Sequence, residues 1–306
     1  MRCLFCKQPS KSSKSVEHII PESIGSKKFV LPAGVMCDKC NNYFSIKVEG
    51  PVLSHQSMRN VRAWYQVRSK KGKLPSLQGY ITGTDISINL RLDKDRKLNV
   101  QPEKEKDRIK LEQHFENLGK EQDFAYLFEI DIDPPRKEMS RFLAKMALEA
   151  VAFRLLNVKS DLSQLIDEPH YDLIRNYARF GAGVKDWPYS RRSIFPMDTQ
   201  MKHPETGKWV HAGFGHDLLM TSRRETYFVF LIYGVEFVIN TGGPSIRGYE
   251  EWLEQHSAIS PMVERVGARL ITKVMDGKHQ HFLEGDFEVR KGITFDVGKL
   301  PESMFD

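Results

Sequence analysis

Two Cys-x-x-Cys pairs, Cys3/Cys6 and Cys37/Cys40, account for all four cysteines of this 306-residue chain. Two intervening residues let a tight turn aim both sulfurs of a pair inward, so each pair can clamp one side of a tetrahedral ion. Together they predict one closed four-thiolate zinc site. The competing reading is a redox pair, which belongs beside a βαβ pattern, and no strand precedes Cys3. Four sulfurs leave no open coordination position, so the expected role of the zinc is structural. A secreted disulfide scaffold would spread its bridges along the chain, and the opening Met1-Arg2-Cys3 leaves no room for a signal peptide. The expected setting is therefore intracellular, in the cytoplasm.

Lys and Arg number 46 against 40 Asp and Glu, a formal charge of +6 that favours polyanionic partners. Arg2, Lys7, Lys11, Lys14, Lys27, Lys28, Lys39 and Lys47 fall in the first fifty residues, against Glu17, Glu22, Asp38 and Glu49, so most of the excess lies there. The longest apolar run, residues 227–239, contains Glu236 and is shorter than the ~20 residues of a membrane-spanning helix. No membrane partner is expected.

Gly50-Pro51 punctuates the chain and predicts a boundary between a small domain, residues 1–50, and a larger one, residues 51–306. Beyond it, residues 52–67 read as a helix and residues 68–73 as a basic loop. Period-two alternation in 77–92 predicts two strands around a turn. Residues 103–120 are densely charged and read as a solvated helix or connector, and residues 124–132 as a strand stopped by Pro134-Pro135. Phe142, Leu143, Met146, Ala147, Ala150, Val151 and Leu155 recur at three- and four-residue steps, predicting a core helix over 138–156 with one apolar face. A second helix, 171–180, ends at Gly181. Strands are expected over 209–220 and 227–239, with Gly234 as a turn or bulge, then a helix over 249–256 and a strand over 280–289. The fold class predicted is α+β.

Between the knuckles lies Val16-Glu17-His18-Ile19-Ile20-Pro21, and Asn41-Asn42 follow the last cysteine. Cys-x-x-Cys, Glu-His-Ile-Ile-Pro, then Cys-x-x-Cys-Asn resembles the HNH nuclease family in its zinc-stapled ββα-metal form, over residues 1–50. That resemblance implies an endonuclease hydrolysing DNA phosphodiester bonds. His18 would be the general base that activates water, with Glu17 and Asn41 holding a catalytic Mg²⁺ or Mn²⁺ through oxygen ligands. Two positions depart from the family pattern: Glu17 stands where an Asp is usual, and residues 30–36 lack an Asn that commonly braces the loop holding the base. On a strand, Glu17 and His18 would point to opposite faces, so a local bulge or turn is expected to bring both to one phosphate.

Lys27, Lys28, Arg68, Lys70, Lys71 and Lys73 are the candidate phosphate contacts, with Arg191-Arg192 and Arg223-Arg224 as further basic pairs; each also suits a solvated charged patch. Trp187, Tyr189 and Trp209 read as core or rim aromatics with base stacking as the alternative. Restriction of foreign DNA or phage defence would suit such an enzyme, and a homodimer would give double-strand cleavage. Two alternatives remain open: a non-catalytic zinc-containing nucleic-acid-binding or sensing protein, and a ribonuclease on the same fold, since nothing here reads a 2′-hydroxyl.

Overall fold

The computed structural model describes residues 1–26, 28–69, 72–92, 98–118, 126–127, 130–203, 207–265, 267–275 and 277–285. The chain forms two compact units, one made of Met1–Ile19, Lys28–Val48 and Met139–Asp306, the other of Ile20–Lys27 and Glu49–Glu138. Helices and sheets mix in both, as an α+β chain should, and the described strands pair antiparallel except Lys278–Glu284 with Gln200–Lys202, which run parallel.

In the first unit β1 (Glu17–His18) pairs antiparallel with β2 (Val30–Leu31), Glu17 opposite Leu31 and His18 opposite Val30. Helix α1 (Asp38–Phe44) follows, capped by Cys37, whose sulfur accepts from the Cys40 N–H at 3.4 Å. A wide turn over Ser45–Glu49 leads into the second unit.

There the predicted helix over 52–67 is two helices, α2 (Gly50–Ser54) and α3 (Gln56–Trp64). The break is His55, whose backbone is extended (φ −60, ψ 145). The strands β3 (Leu77–Ile81) and β4 (Ser87–Leu92) form as expected and join β5 (Leu98–Pro102). Helix α4 (Arg108–Asn117) falls in the densely charged stretch but is not simply solvated: Leu111 is buried with Ile81, Ile86, Ile88 and Leu90, and Phe115 packs against them. Of the strand expected at 124–132, β6 (Tyr126–Leu127) is described; it pairs with β3, giving the order β5-β4-β3-β6, while residues 124, 125, 128 and 129 lie outside the described residues. Buried Asn60 donates to the Gln78 carbonyl at 3.0 Å and accepts the Gln78 N–H at 2.7 Å, fixing α3 to β3.

The first unit resumes in α5 (Arg136–Asn157), which corrects the one-faced helix: residues 142–150 are buried without interruption, including Lys145 and Glu149. A helix buried on all sides is a central helix rather than a surface one. After α6 (Ser163–Asp167) and α7 (Asp172–Phe180), closed by left-handed Gly181, the chain turns to strands β7 (Tyr189–Ser193), β8 (Gln200–Lys202) and β9 (Trp209–His211). The run 209–220 divides between sheets, since β10 (Phe214–Met220) pairs with β11 (Thr226–Ile232). Strand β12 (Val235–Asn240) completes the hairpin through Gly234 at φ +83, where an added Cβ would lie 2.2 Å from the Phe195 carbonyl oxygen. These strands make the sheet β10-β11-β12-β7. Then come α8 (Arg247–Gln255), α9 (Pro261–Glu264), β13 (Arg269–Met275) and β14 (Lys278–Glu284), the last two joining β8 and β9 in the order β13-β14-β8-β9. Of the strand expected at 280–289, the part from residue 286 on lies outside the described residues. Among the described residues no helix is long and apolar enough to cross a membrane.

Candidate functional site: a four-sulfur cluster framing a histidine strand

The first knuckle is folded by its backbone. Cys3 N–H donates to the Gln8 carbonyl and Lys7 N–H to the Cys3 carbonyl, both at 2.9 Å, with Lys7 in the left-handed region at φ 60. The second knuckle opens α1, and Leu4 N–H joins the two by donating to the Val35 carbonyl at 2.8 Å. Gly34, at φ +93, is needed here because a Cβ would meet Met1 Sδ at 2.9 Å and the Ser10 carbonyl oxygen at 3.2 Å.

All four sulfurs lie within 4.8 Å of one another. Cys6 Sγ and Cys37 Sγ are 3.7 Å apart, close to the edge of about 3.8 Å that follows from four zinc–sulfur bonds of about 2.3 Å. Hydrogen bonding from the Cys40 thiol holds the Cys3 thiol down to about 4, with the N–H of Cys37 also donating to it at 3.3 Å. The same thiol–thiol contact, with burial, pushes Cys40 up. The cluster fits a metal by both spacing and donor type.

Asp38 ties the intervening segment to α1. Its carboxylate accepts from the Lys14 N–H at 3.1 Å, the Ser15 N–H at 2.9 Å and the Ser15 hydroxyl. The Ser15 bonds hold its carboxyl below the usual range. Asn41, one turn along α1, donates its side-chain N–H to the Val16 carbonyl at 3.4 Å, bringing its amide beside β1.

Strand β1 turns its two side chains apart. Glu17 and its partner Leu31 are buried, His18 is half-buried, and Val30 opposite it is exposed. The regular pairing contains no bulge of the kind expected to bring Glu17 and His18 together. Glu17 instead reaches the wholly buried Lys145 of α5, with Oε1 accepting from Nζ at 2.6 Å; Lys145 also donates to Glu149 at 3.0 Å. Lys145 is the residue that periodicity passes over: it lies inside an apolar run, and its only local signal is a Lys-Glu pair four residues apart.

The knuckles are also held from α7. Buried Arg175 donates to the Leu4 carbonyl and to the Leu165 carbonyl, both at 2.8 Å, and Lys7 pairs with Asp172 at 2.6 Å. The Tyr43 hydroxyl donates to the Arg179 carbonyl, and the Phe5 and Phe44 rings pack at 4.4 Å.

The basic candidates belong to different units. Lys28 is exposed in the first unit, Arg68 and Lys73 are exposed in the second, and Lys27, Lys70 and Lys71 lie outside the described residues. Arg68 donates to the Gly72 carbonyl at 2.9 Å, closing its loop. Trp187 is a core residue that donates to the Asn240 carbonyl at 3.0 Å, whereas Trp209 is 44% exposed. No second cluster of metal-ligating side chains appears among the described residues.

A protein-family model described as HNH endonuclease matches residues 3–57. No curated protein and no solved structure gave a significant match. The N-terminal segment is an HNH domain carrying a cysteine cluster suited to a metal.

Proposed function

We propose that this chain is an HNH endonuclease that hydrolyses DNA phosphodiester bonds, with Cys3, Cys6, Cys37 and Cys40 holding a structural Zn²⁺. The observation that carries the reading is Asn41, hydrogen-bonded to Val16 beside the strand that presents His18, within a segment matching the HNH model. In this reading His18 takes a proton from water, the water oxygen bonds to phosphorus, and the bond from phosphorus to the sugar oxygen breaks, that oxygen leaving with the electron pair and taking a proton from solvent. Residues 51–306 supply substrate choice, and biological roles such as restriction or phage defence suit the activity.

The resemblance calls for Mg²⁺ or Mn²⁺ held by Glu17 and Asn41. A carboxylate and an amide oxygen are suitable donors, but the Glu17 carboxylate is turned inward and already has a cation, Lys145, at 2.6 Å. As placed, Glu17 does not fit a metal shared with His18. Its role in this reading is positioning: it pins β1 to α5, leaving His18 on the other face.

The same ion pair favours a second reading, a non-catalytic nucleic-acid-binding protein that keeps the zinc fold. One experiment separates the two. The full chain is incubated with supercoiled plasmid and, in parallel, single-stranded RNA, with Mg²⁺ or Mn²⁺ added. Nicked plasmid supports the DNA endonuclease, RNA cleavage alone moves the substrate to RNA, and binding with both substrates intact favours the second reading.

A further inference from the structure

One face of the sheet β13-β14-β8-β9 is covered around Leu283, while Leu270, Val274 and Val210 on that same face are exposed. Leu283 and Met201 face inward and pack in a cluster with Phe195 and Ala212. By the two-residue alternation of strands, the opposite face carries Arg269 and Lys273 of β13, Lys278 and Phe282 of β14, and, through the Phe282–Gln200 and Lys202–Trp209 pairings, Lys202 and Trp209. Trp209 packs edge-on to Phe282 at 4.9 Å between centroids. Lys202 lies 5.6 Å from the Trp209 ring centroid and Lys273 5.3 Å from that of Phe282.

Trp209 keeps 44% of its surface in water. Lys202 and Lys273 beside the rings and Arg269 and Lys278 elsewhere on the face are exposed, and the one acidic neighbour on this face among the described residues, Glu284, meets Lys273 only at 3.8 Å. A ring that can stack on a base, bordered by cations that can meet phosphates, complements a single-stranded polynucleotide. A duplex keeps its bases stacked on each other and would use the lysines alone. We infer that this sheet face is a binding platform for single-stranded nucleic acid, with Trp209 as the stacking residue and Lys202 and Lys273 as phosphate contacts. The inference rests on the reading that the chain acts on nucleic acid, but does not require cleavage.

The test is fluorescence anisotropy with a labelled oligothymidylate of about 20 nucleotides, using the 306-residue chain carrying His18→Ala so that the probe stays intact. Adding Trp209→Ala is expected to weaken binding at least about fivefold, the lower end for removing one stacked base, while Trp209→Phe retains most of the affinity. Because Trp209 also packs on Phe282, a variant of exposed residues serves as a second measure. Lys202→Gln with Lys273→Gln should lower the salt slope by about 1.4, near 0.7 for each phosphate no longer neutralised. Parental affinity and salt slope in all variants would overturn the proposal, as would equal losses toward a duplex competitor. Plasmid nicking by the chain with His18 intact is read separately. Nicking without any dependence of oligonucleotide binding on Trp209 defeats the platform and spares the nuclease; the reverse pattern does the opposite.

Discussion

A lysine ammonium withdrawn from water needs anions around it, and Lys145 has Glu17 at 2.6 Å and Glu149 at 3.0 Å. Removing only the cation leaves two buried carboxylates facing each other. Lys145→Met should therefore cost about 3–5 kcal/mol in urea unfolding, the usual penalty for breaking a buried pair. Adding Glu17→Gln should recover part of it, and strictly additive losses would show that the pair is not coupled. Side by side on β10, His216 and Asp217 give a second prediction. Burial pushes His216 down to about 4 and Asp217 up to about 6, the latter against the pull of Arg265. Between those values the unfolded chain binds the extra histidine proton, so the His216 contribution is lost as pH falls. The folded chain keeps the extra aspartate proton, so the Asp217 contribution is lost as pH rises. The two oppose. Thermal melts should show Asp217→Asn losing stability from about pH 6.5 down to 4, and His216→Gln losing it from about pH 4 up to 6. Slopes of the same sign in both variants would contradict the assignment.

At the scale of elements, the knuckles are braced both by their sulfur cluster and by α7 through Arg175 and Leu4. A segment of about fifty residues has too small a core to stand alone, and structural metal sites convert binding energy into folding energy. Chelation of zinc should expose the amides of Cys3 and Lys7, whose bonds close the first knuckle, while β11 and β12 keep theirs. Hydrogen exchange reads both, and unchanged protection at Cys3 and Lys7 would count against a structural metal. Elements with a local signature were legible in the sequence: the knuckles, the β3–β4 pair, α5 and the strand content of 227–239, where Gly234 left a turn and a bulge equally open. The depth of α5 was not, because Lys145 and Glu149 sit among apolar residues and their burial depends on a partner 128 residues away. The division of 209–220 between two sheets likewise depends on which strands pair, a long-range choice that alternation does not encode.

At the scale of the whole molecule, the segments around the four cysteines share a compact unit with residues 139–306. Buried links such as Arg175 to Leu4 and Lys145 to Glu17 therefore join the HNH segment to a part of the chain in which no sequence motif was found. This explains why the candidate site was legible by residue type, through His18, Asn41 and the cysteines, but not by geometry. Periodicity places Glu17 and His18 on opposite faces without revealing what waits on the inner one. The central claim is that His18 performs the chemistry on that outward face. It is tested most directly by comparing the unmodified chain with His18→Ala at matched zinc content, measuring nicking of supercoiled plasmid in Mg²⁺ or Mn²⁺. His18→Ala should lose about 10²–10⁴-fold, the usual contribution of a general base. Equal nicking by both proteins would contradict it.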